Sequence, residues 1–296
     1  MTDGGPLWDR VRAATEHGLA AGALRPIPTT FETVVDGGIP FQLRIVDNLR
    51  RKALQRERVG QRPRPEDANP FLPYDEDLFV ADLPPSHVLL LNKFNVLEHH
   101  LLIVTRAFAD QEELPDEADL AALWSVLGEI DGLGFYNGGE EAGASQPHKH
   151  LQLAPFPLAE GLPGAPLQAV LDDAEPAGDV LQVPALPLPH AFQWLHGVPG
   201  EPTAAAPLLA REVTTVLDAI GVHPGAGAPP LRQRAPYNLL VTRHWLLAVP
   251  RRRETVDGIS INAIGFAGGL LVRDEKQRAR VRARGPLALL DRSVRG

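Results

Sequence analysis

Residues 137–156 read NGGEEAGASQPHKHLQLAPF, a segment that joins a loop of small residues to a row of histidines. His148, His150 and Gln152 are two residues apart, so on a β-strand their side chains lie on one face. The glycines before them allow backbone N–H groups to approach an anion closely, and a serine and a glutamine add side-chain donors. The segment therefore predicts a strand of imidazoles beside a phosphate-binding loop.

These residue types suit chemistry at phosphorus. A neutral imidazole is a good nucleophile near pH 7, because its unperturbed pKa is about 6.5. A second histidine can form a hydrogen bond to the phosphate. A glutamine amide can donate to a phosphate oxygen but cannot deliver a proton as an acid. Since a leaving group that is itself a phosphate needs no proton at neutral pH, Gln152 favours transfer between phosphates.

An H-x-H pair on a strand is also typical of metal sites, as in cupin-like folds. The acidic ligand expected shortly downstream is missing, because the next acid is Glu160, beyond two prolines. His99 and His100 are adjacent and would face opposite sides of a strand. Metal ligation and a merely structural H-x-H pair stay open as alternatives, and the Gly/Ser/Gln loop favours the phosphate reading.

Hydrophobic periodicity predicts a chain of mixed helices and strands around this segment. A β-hairpin turns at Asp36-Gly37-Gly38, and Asp116 is placed to cap a helix. The predicted helices cover 7–24, 116–133, 204–220 and the C-terminus, the predicted strands 78–104, 134–137, 148–154, 237–249 and 259–272, and a charged loop 49–73.

A weak internal repeat divides the chain. Residues 99–106 read HHLLIVTR and residues 244–251 read HWLLAVPR, each after a strand with an asparagine near its end. Chance similarity between two amphipathic strands is the alternative. We predict a first half over 1–155 that carries the HxHxQ site, a proline-rich connection over 156–190 and a second half over 191–296.

The composition excludes several classes of protein. With 29 basic and 37 acidic residues the net charge is −8, which argues against a nucleic-acid binder. The absence of cysteine excludes disulfides, thiolate metal sites and a cysteine nucleophile, and suits a reducing compartment. Since neither a signal-peptide pattern nor a membrane-length apolar run is found, we expect a cytoplasmic protein that does not bind membranes.

The segment QPHKHLQ, preceded by GAS, resembles the signature of the diadenosine tetraphosphate phosphorylases (ATP adenylyltransferases). These are a branch of the histidine triad superfamily in which glutamine replaces the last histidine. The stretches NPFLPYDEDLFV, LLLNKFNVLEHHLLIVTR, FYNGG, PYNLLVTRHWLLAVPR and SINAIGFAGGLLV agree, so the similarity spans roughly residues 40–272. The resemblance implies an α+β histidine-triad-like fold in which two pseudo-repeated, strand-rich halves form one unit.

The resemblance also implies a double displacement on diadenosine tetraphosphate. His150 would attack an α-phosphorus and release ATP, and inorganic phosphate would then convert the AMP–histidine intermediate to ADP. His148 and Gln152 would flank this nucleophile. No metal is implied at the site and no cofactor is tightly bound, although Mg²⁺ would enter with the nucleotide. The implied substrate-binding residues are Lys52, Asn92, Lys93, Asn137, Gly143, Ala144, Ser145, Gln146 and Asn238.

Other functions stay open at this point. A sugar-nucleotide phosphorylase or uridylyltransferase shares the bare H-x-H-x-Q pattern, and hydrolysis would replace phosphorolysis if water acted in the second step. A nucleotide sensor that had lost turnover is the non-enzymatic alternative, against which an intact His150 argues. The expected partners are small nucleotides and phosphate, and the expected state is a monomer.

Overall fold

A ten-stranded antiparallel sheet takes its strands from both halves of the sequence. The computed structural model describes residues 6–46 and 69–296, so the predicted residue Lys52 and most of the predicted loop 49–73 lie outside the described residues. Within these ranges the strands are β1 (Thr29–Asp36), β2 (Ile39–Val46), β3 (Phe79–Leu83), β4 (His87–Leu91), β5 (Leu101–Thr105), β6 (Gly132–Gly138), β7 (His150–Pro155), β8 (Glu175–Ala177), β9 (Val180–Gln182), β10 (Ala191–Trp194), β11 (Tyr237–Val241), β12 (Trp245–Pro250), β13 (Thr255–Val256), β14 (Ile259–Ser260) and β15 (Gly269–Val272).

The order across the large sheet is β3-β4-β5-β7-β6-β11-β12-β10-β9-β8. The two halves meet where β6 pairs with β11, and Asn137 lies directly opposite Asn238 in that pair. Each copy of the internal repeat forms the second strand of a hairpin. The first copy contains β5 of the β4–β5 hairpin, and the second contains β12 of the β11–β12 hairpin. The segment 156–190, predicted as a connection, contributes β8 and β9 to the sheet edge. The predicted boundaries at 155 and 190 stay a prediction.

Helices cover one face of the sheet and a second, smaller sheet lies on the other. The helices are α1 (Leu7–Ala20), α2 (Glu117–Glu129), α3 (Pro202–Ala219), α4 (Ala263–Phe266), α5 (Glu275–Arg284) and α6 (Pro286–Arg295). Leu151, Leu153 and Leu239 pack with α1, α2 and α3 in one core. Phe135 and Leu240 pack on the opposite face against β2, β15 and the C-terminal helices. The alternation of β-strand side chains thus separates a helical face from the face that bears the site.

Local chemistry explains where the elements begin and end. Asp116 caps α2 as predicted, since its carboxylate accepts from the Asp119 N–H at 3.0 Å while Asp119 accepts from the Asp116 N–H at 2.8 Å. The predicted strand 259–272 is wrong in its middle. Asn262 accepts from the Ile264 N–H at 3.1 Å and starts the short helix α4 between β14 and β15. None of the helices in the described ranges is long and apolar enough to cross a membrane.

Candidate active site

The tautomer of His150 is set by the backbone. Nδ1 lies 2.8 Å from the carbonyl oxygen of His148. Because a carbonyl only accepts, Nδ1 must donate its proton there, and Nε2 keeps its lone pair. Burial lowers the pKa of His150 to about 4, against the opposing effect of the His148 carbonyl. At pH 7 the ring is therefore neutral, with Nε2 in the nucleophilic form.

His148 uses both of its ring nitrogens for bonds to the protein. Nε2 lies 2.9 Å from the carbonyl oxygen of Thr105, so it carries the proton, and Nδ1 accepts from the Asn69 side-chain amide at 2.7 Å. Asn69 is oriented in turn, because its Oδ1 accepts from the Phe71 N–H at 2.9 Å. Burial lowers the pKa of His148. The arrangement makes the His148 carbonyl a rigid acceptor for His150.

Lys149 lies on the reverse face of the strand, as the alternation predicts. Its ammonium group contacts Asp119 of α2 at 2.5 Å, with side chains 3% and 2% exposed, and also donates to the Leu114 carbonyl at 2.9 Å. His87 Nε2 lies 2.8 Å from the other Asp119 oxygen. Burial acts to raise the pKa of Asp119, but the bond from His87 and the charge of Lys149 outweigh it and hold the pKa below its usual range. This buried ionic cluster anchors the residue that directly precedes β7, between His148 and His150.

A cavity of about 380 Å³ opens in front of the site-bearing face. Gln152 lines it from β7 and His100 from the residue before β5, and Gly143 and Ser145 line it from the glycine loop. Arg44 and Arg273 line it as well and give it positive charge. Its apolar wall is formed by Phe94, Val96, Leu97, Leu158, Ile264, Leu270 and Leu271. An apolar wall beside amide donors and arginines suits a molecule with an aromatic end and an anionic end.

A second cavity of about 630 Å³ shares Gly143, Ser145 and Ser260 with the first. Ala144 and Gln146 of the glycine loop line it, together with Arg232, which pairs with Asp110 and Glu112. The loop therefore borders both cavities. Four acidic residues also line the second cavity: Asp110, Glu112, Glu140 and Glu254.

Position 143 requires glycine, both for its backbone conformation and for the lack of space around it. Its φ is +92°, and an added Cβ would lie 2.8 Å from Cβ of Asn262 and 3.1 Å from the Ile261 carbonyl oxygen. A side chain there would push the glycine loop away from α4. The absence of Cβ thus allows the loop to pack against the second half of the chain.

A buried polar cluster joins the two halves beneath the glycine loop. Asn238 donates from Nδ2 to Asn137 Oδ1 at 2.8 Å and to the Ala142 carbonyl at 2.8 Å, and its Oδ1 accepts from Arg251 at 2.6 Å. Arg251 also donates to the Ile261 carbonyl at 3.0 Å. Burial lowers the pKa of Arg251 to about 10, so the guanidinium stays charged at pH 7. This cluster holds the glycine loop and adds a buried positive charge below it.

The predicted substrate-binding residues fall into distinct positions. Asn92, Asn137, Gly143 and Ser145 line the first cavity, and Ala144 and Gln146 line the second. Asn238 is fully buried behind Asn137 and lines neither cavity. Lys93 likewise lies outside both linings, where its ammonium group contacts the Asp75 carboxylate at 3.2 Å. The substrate-binding roles of all these residues stay predictions.

Sequence reasoning missed several residues of the site. The sequence indicates His100 only as a candidate metal ligand, and Arg251 only as the end of the second repeat copy, aligned with Arg106. The predicted strand 259–272 includes Asn262, which the structure places at the start of α4. The sequence does carry a signal for Arg251, because an arginine at the end of a buried strand needs hydrogen-bonding partners for its charge.

Comparisons with known proteins identify the family. Residues 1–173 match the family model of the Ap4A phosphorylase N-terminal domain, and residues 184–294 match that of the ATP adenylyltransferase C-terminal domain. The chain belongs to the Ap4A phosphorylase family. A relative from Saccharomyces cerevisiae, diadenosine 5',5'''-P1,P4-tetraphosphate phosphorylase 2, is 30% identical over 242 residues, which are 71% of this chain and 70% of that protein.

Solved structures of the Ap4A phosphorylase family share the fold. Yeast Ap4A phosphorylase Apa2 superposes with a TM-score of 0.75 at 22% identity, over 97% of this chain and 95% of that one. The same yeast enzyme in complex with Ap4A gives a TM-score of 0.71 at 23% identity and the same coverage. The predicted histidine-triad-like α+β fold and the predicted family are confirmed. The chain is an enzyme of the nucleotidyltransferase class.

Proposed function

We propose that this enzyme phosphorolyses diadenosine tetraphosphate to ADP and ATP, in two steps through an AMP–His150 intermediate. The observation that carries the proposal is the state of His150. Its Nδ1 is bound to the His148 carbonyl at 2.8 Å, and its pKa of about 4 keeps the ring neutral. A buried, neutral and oriented imidazole is a nucleophile that needs no separate base.

In the first step, Nε2 of His150 forms a bond to an α-phosphorus, and the bond from that phosphorus to the oxygen it shares with the β-phosphorus breaks. ATP leaves with that oxygen and needs no proton. The glycine loop, with Ser145 and Gln146, would hold the phosphate chain, and Gln152 would donate to an α-phosphoryl oxygen. In the second step, an oxygen of inorganic phosphate attacks the same phosphorus, releases the imidazole and gives ADP.

The charges of the cavity support an anionic substrate. Arg44 and Arg273 line it, and the buried Arg251 lies beneath the glycine loop. These cations would offset the negative charge of the phosphate chain, whereas Lys93 lies outside the cavity lining and contacts Asp75. The apolar wall would hold one adenosine. We therefore assign the AMP moiety that is transferred to the first cavity.

The test is product analysis with diadenosine tetraphosphate, with and without inorganic phosphate. The proposal expects ADP and ATP when phosphate is present. Without phosphate it expects one equivalent of ATP and a stable AMP adduct on the protein, absent from His150→Ala. AMP and ATP formed at the same rate with or without phosphate would identify a hydrolase. If no turnover occurs, uridine diphosphate glucose and adenosine diphosphate glucose would test the sugar-nucleotide alternative.

The remaining expectations stay proposals. We propose that the enzyme acts as a monomer in the cytoplasm, with Mg²⁺ bound to the nucleotide and not to the protein. Light scattering during size-exclusion chromatography measures the oligomeric state. Metal analysis of the purified protein, followed by recovery of activity when Mg²⁺ is added to a chelator-treated assay, tests the metal.

A further inference from the structure

His100 carries a polar atom that neither the fold nor the proposed reaction uses. The residue lines the first cavity, just before β5, and its ring packs against Phe135 with a centroid distance of 5.7 Å. Its Nε2 is buried, and no group in the described part of the chain forms a hydrogen bond of normal geometry with it. A buried N–H without a partner is costly, so its presence beside a substrate cavity calls for a function.

The proton of His100 is located by an asparagine. Asn92 Oδ1 accepts from the Phe94 N–H at 3.3 Å, which turns the amide nitrogen of Asn92 toward His100. That nitrogen lies 3.1 Å from His100 Nδ1. Because an amide nitrogen only donates, Nδ1 accepts and the ring proton is on Nε2. Burial lowers the pKa of His100 to about 4, so the ring is a neutral donor at pH 7.

Gln152 is the polar side chain beside this donor. Burial lowers the pKa of His100, the Gln152 side chain acts in the opposite direction, and the nearby His150 lowers it further. Across the sheet, Gln152 pairs with Leu102, two residues beyond His100 and therefore on the same face of β5. His100 thus lies between Asn92 and the glutamine of the H-x-H-x-Q motif.

A glutamine amide has one end that donates and one that accepts. If its oxygen faced the phosphoryl group it would repel the substrate, whereas its NH₂ group stabilises negative charge. We propose that His100 is a positioning residue that donates from Nε2 to Oε1 of Gln152 when nucleotide binds, turning the glutamine NH₂ toward the α-phosphoryl oxygens. Asn92 acts through His100, because its amide fixes the His100 tautomer. The inference rests on the proposed function and adds the contact that decides which end of the Gln152 amide faces the substrate.

A double-mutant cycle in the intact enzyme tests whether His100 acts through Gln152. We expect His100→Ala to slow formation of the AMP adduct from diadenosine tetraphosphate about 10- to 100-fold, with KM little changed. In a Gln152→Ala background the same substitution should change the rate by less than about 2-fold, since the group it positions is absent. His100→Gln should recover most of the rate, because a glutamine Nε2–H can donate from a similar position. Asn92→Leu should show a smaller loss that also disappears in Gln152→Ala.

The neighbouring His99 provides a matched control. Its ring packs against Trp8 at 4.9 Å and bonds Thr15 at 2.9 Å, and its φ is +52°. Since asparagine tolerates this backbone conformation, His99→Asn should keep the wild-type rate. The inference is overturned if His100→Ala lowers the rate by the same factor in the wild type and in Gln152→Ala, as loss of a direct substrate contact would. It is also overturned if His100→Gln recovers none of the lost rate. If His100→Ala fails to fold, Asn92→Leu and His100→Gln complete the cycle. Failure of the wild type to form an adduct would instead refute the proposed function.

Discussion

Substitution of Lys149 by methionine should destabilise the enzyme strongly, although the two side chains have similar lengths. The ammonium group contacts Asp119 at 2.5 Å, and the two side chains are 3% and 2% exposed, so the interaction is hardly screened by solvent. The substitution leaves a buried carboxylate without its cation and the Leu114 carbonyl without its donor. Breaking a buried pair from one side costs about 3–5 kcal/mol.

The structure places the expected loss at the lower end of that range. Asp119 keeps the His87 Nε2 contact at 2.8 Å and accepts from the Asp116 N–H at 2.8 Å, so its charge stays partly compensated. We therefore expect Lys149→Met to lower the free energy of unfolding by about 3 kcal/mol. Lys276→Met, the same change at an exposed position on α5, should cost less than about 0.5 kcal/mol.

Urea unfolding at pH 7, followed by circular dichroism, measures both changes. The pKa of Asp119 is held below its usual value, so the pair contributes fully above pH of about 4 and is lost only as the pH falls through the lowered pKa. The difference between wild type and Lys149→Met should therefore be constant from pH 5 to pH 8. A loss no larger than that of Lys276→Met, or a difference that vanishes near pH 6, would refute this account of the cluster.

The other predictions concern the site. His150→Ala should form no AMP adduct although it still unfolds cooperatively in urea. An AMP adduct in this variant would show that another residue is the nucleophile. Gln152→Ala should lower the adduct-forming rate about 100-fold with KM little changed, as measured by rapid quench. Since burial holds the pKa of His150 and of His100 at about 4, below the unfolded value of about 6.5, their contribution to stability is present above pH 6.5 and lost as pH falls toward 4. The adduct-forming rate should stay level from pH 8 to about 5, whereas an ordinary histidine would lose activity below 6.5. Gly143→Ala, whose Cβ would lie 2.8 Å from Asn262, should cost about 1–3 kcal/mol and weaken nucleotide binding, measured by calorimetry.

Most helices and strands could be predicted because they depend on periodicity, whereas the histidine-triad-like fold was implied by the family resemblance. The alternation at residues 148–152 separates Lys149 from the two histidines, and the structure places them on opposite faces of the sheet. The capping position of Asp116 also follows from residue type alone. The helix α4 could not be read in this way, because four residues between two short strands carry no periodic pattern. Its start depends on Asn262, whose side chain could equally belong to a turn.

The tautomers and charge partners of the site could not be predicted, because they depend on which groups from distant segments meet. His148 is held by Asn69, 79 residues earlier in the chain, and Lys149 by Asp119 of a helix on the opposite face. Sequence spacing indicates that a histidine is present on a face but not which of its nitrogens carries the proton.

That distinction decides the chemistry of this site. His100 and His150 both have pKa values of about 4, yet the first accepts at Nδ1 and the second donates there. The two neutral rings therefore present opposite atoms at Nε2, a hydrogen-bond donor in His100 and a lone pair in His150. Exchanging their bonding partners would leave the composition and charge of the cavity unchanged and would remove the lone pair that the proposed reaction needs at Nε2 of His150. The proposed reactivity of His150 therefore depends on the backbone carbonyl to which it is bound, and substitutions that move that carbonyl should affect the rate more than those that alter the net charge of the site.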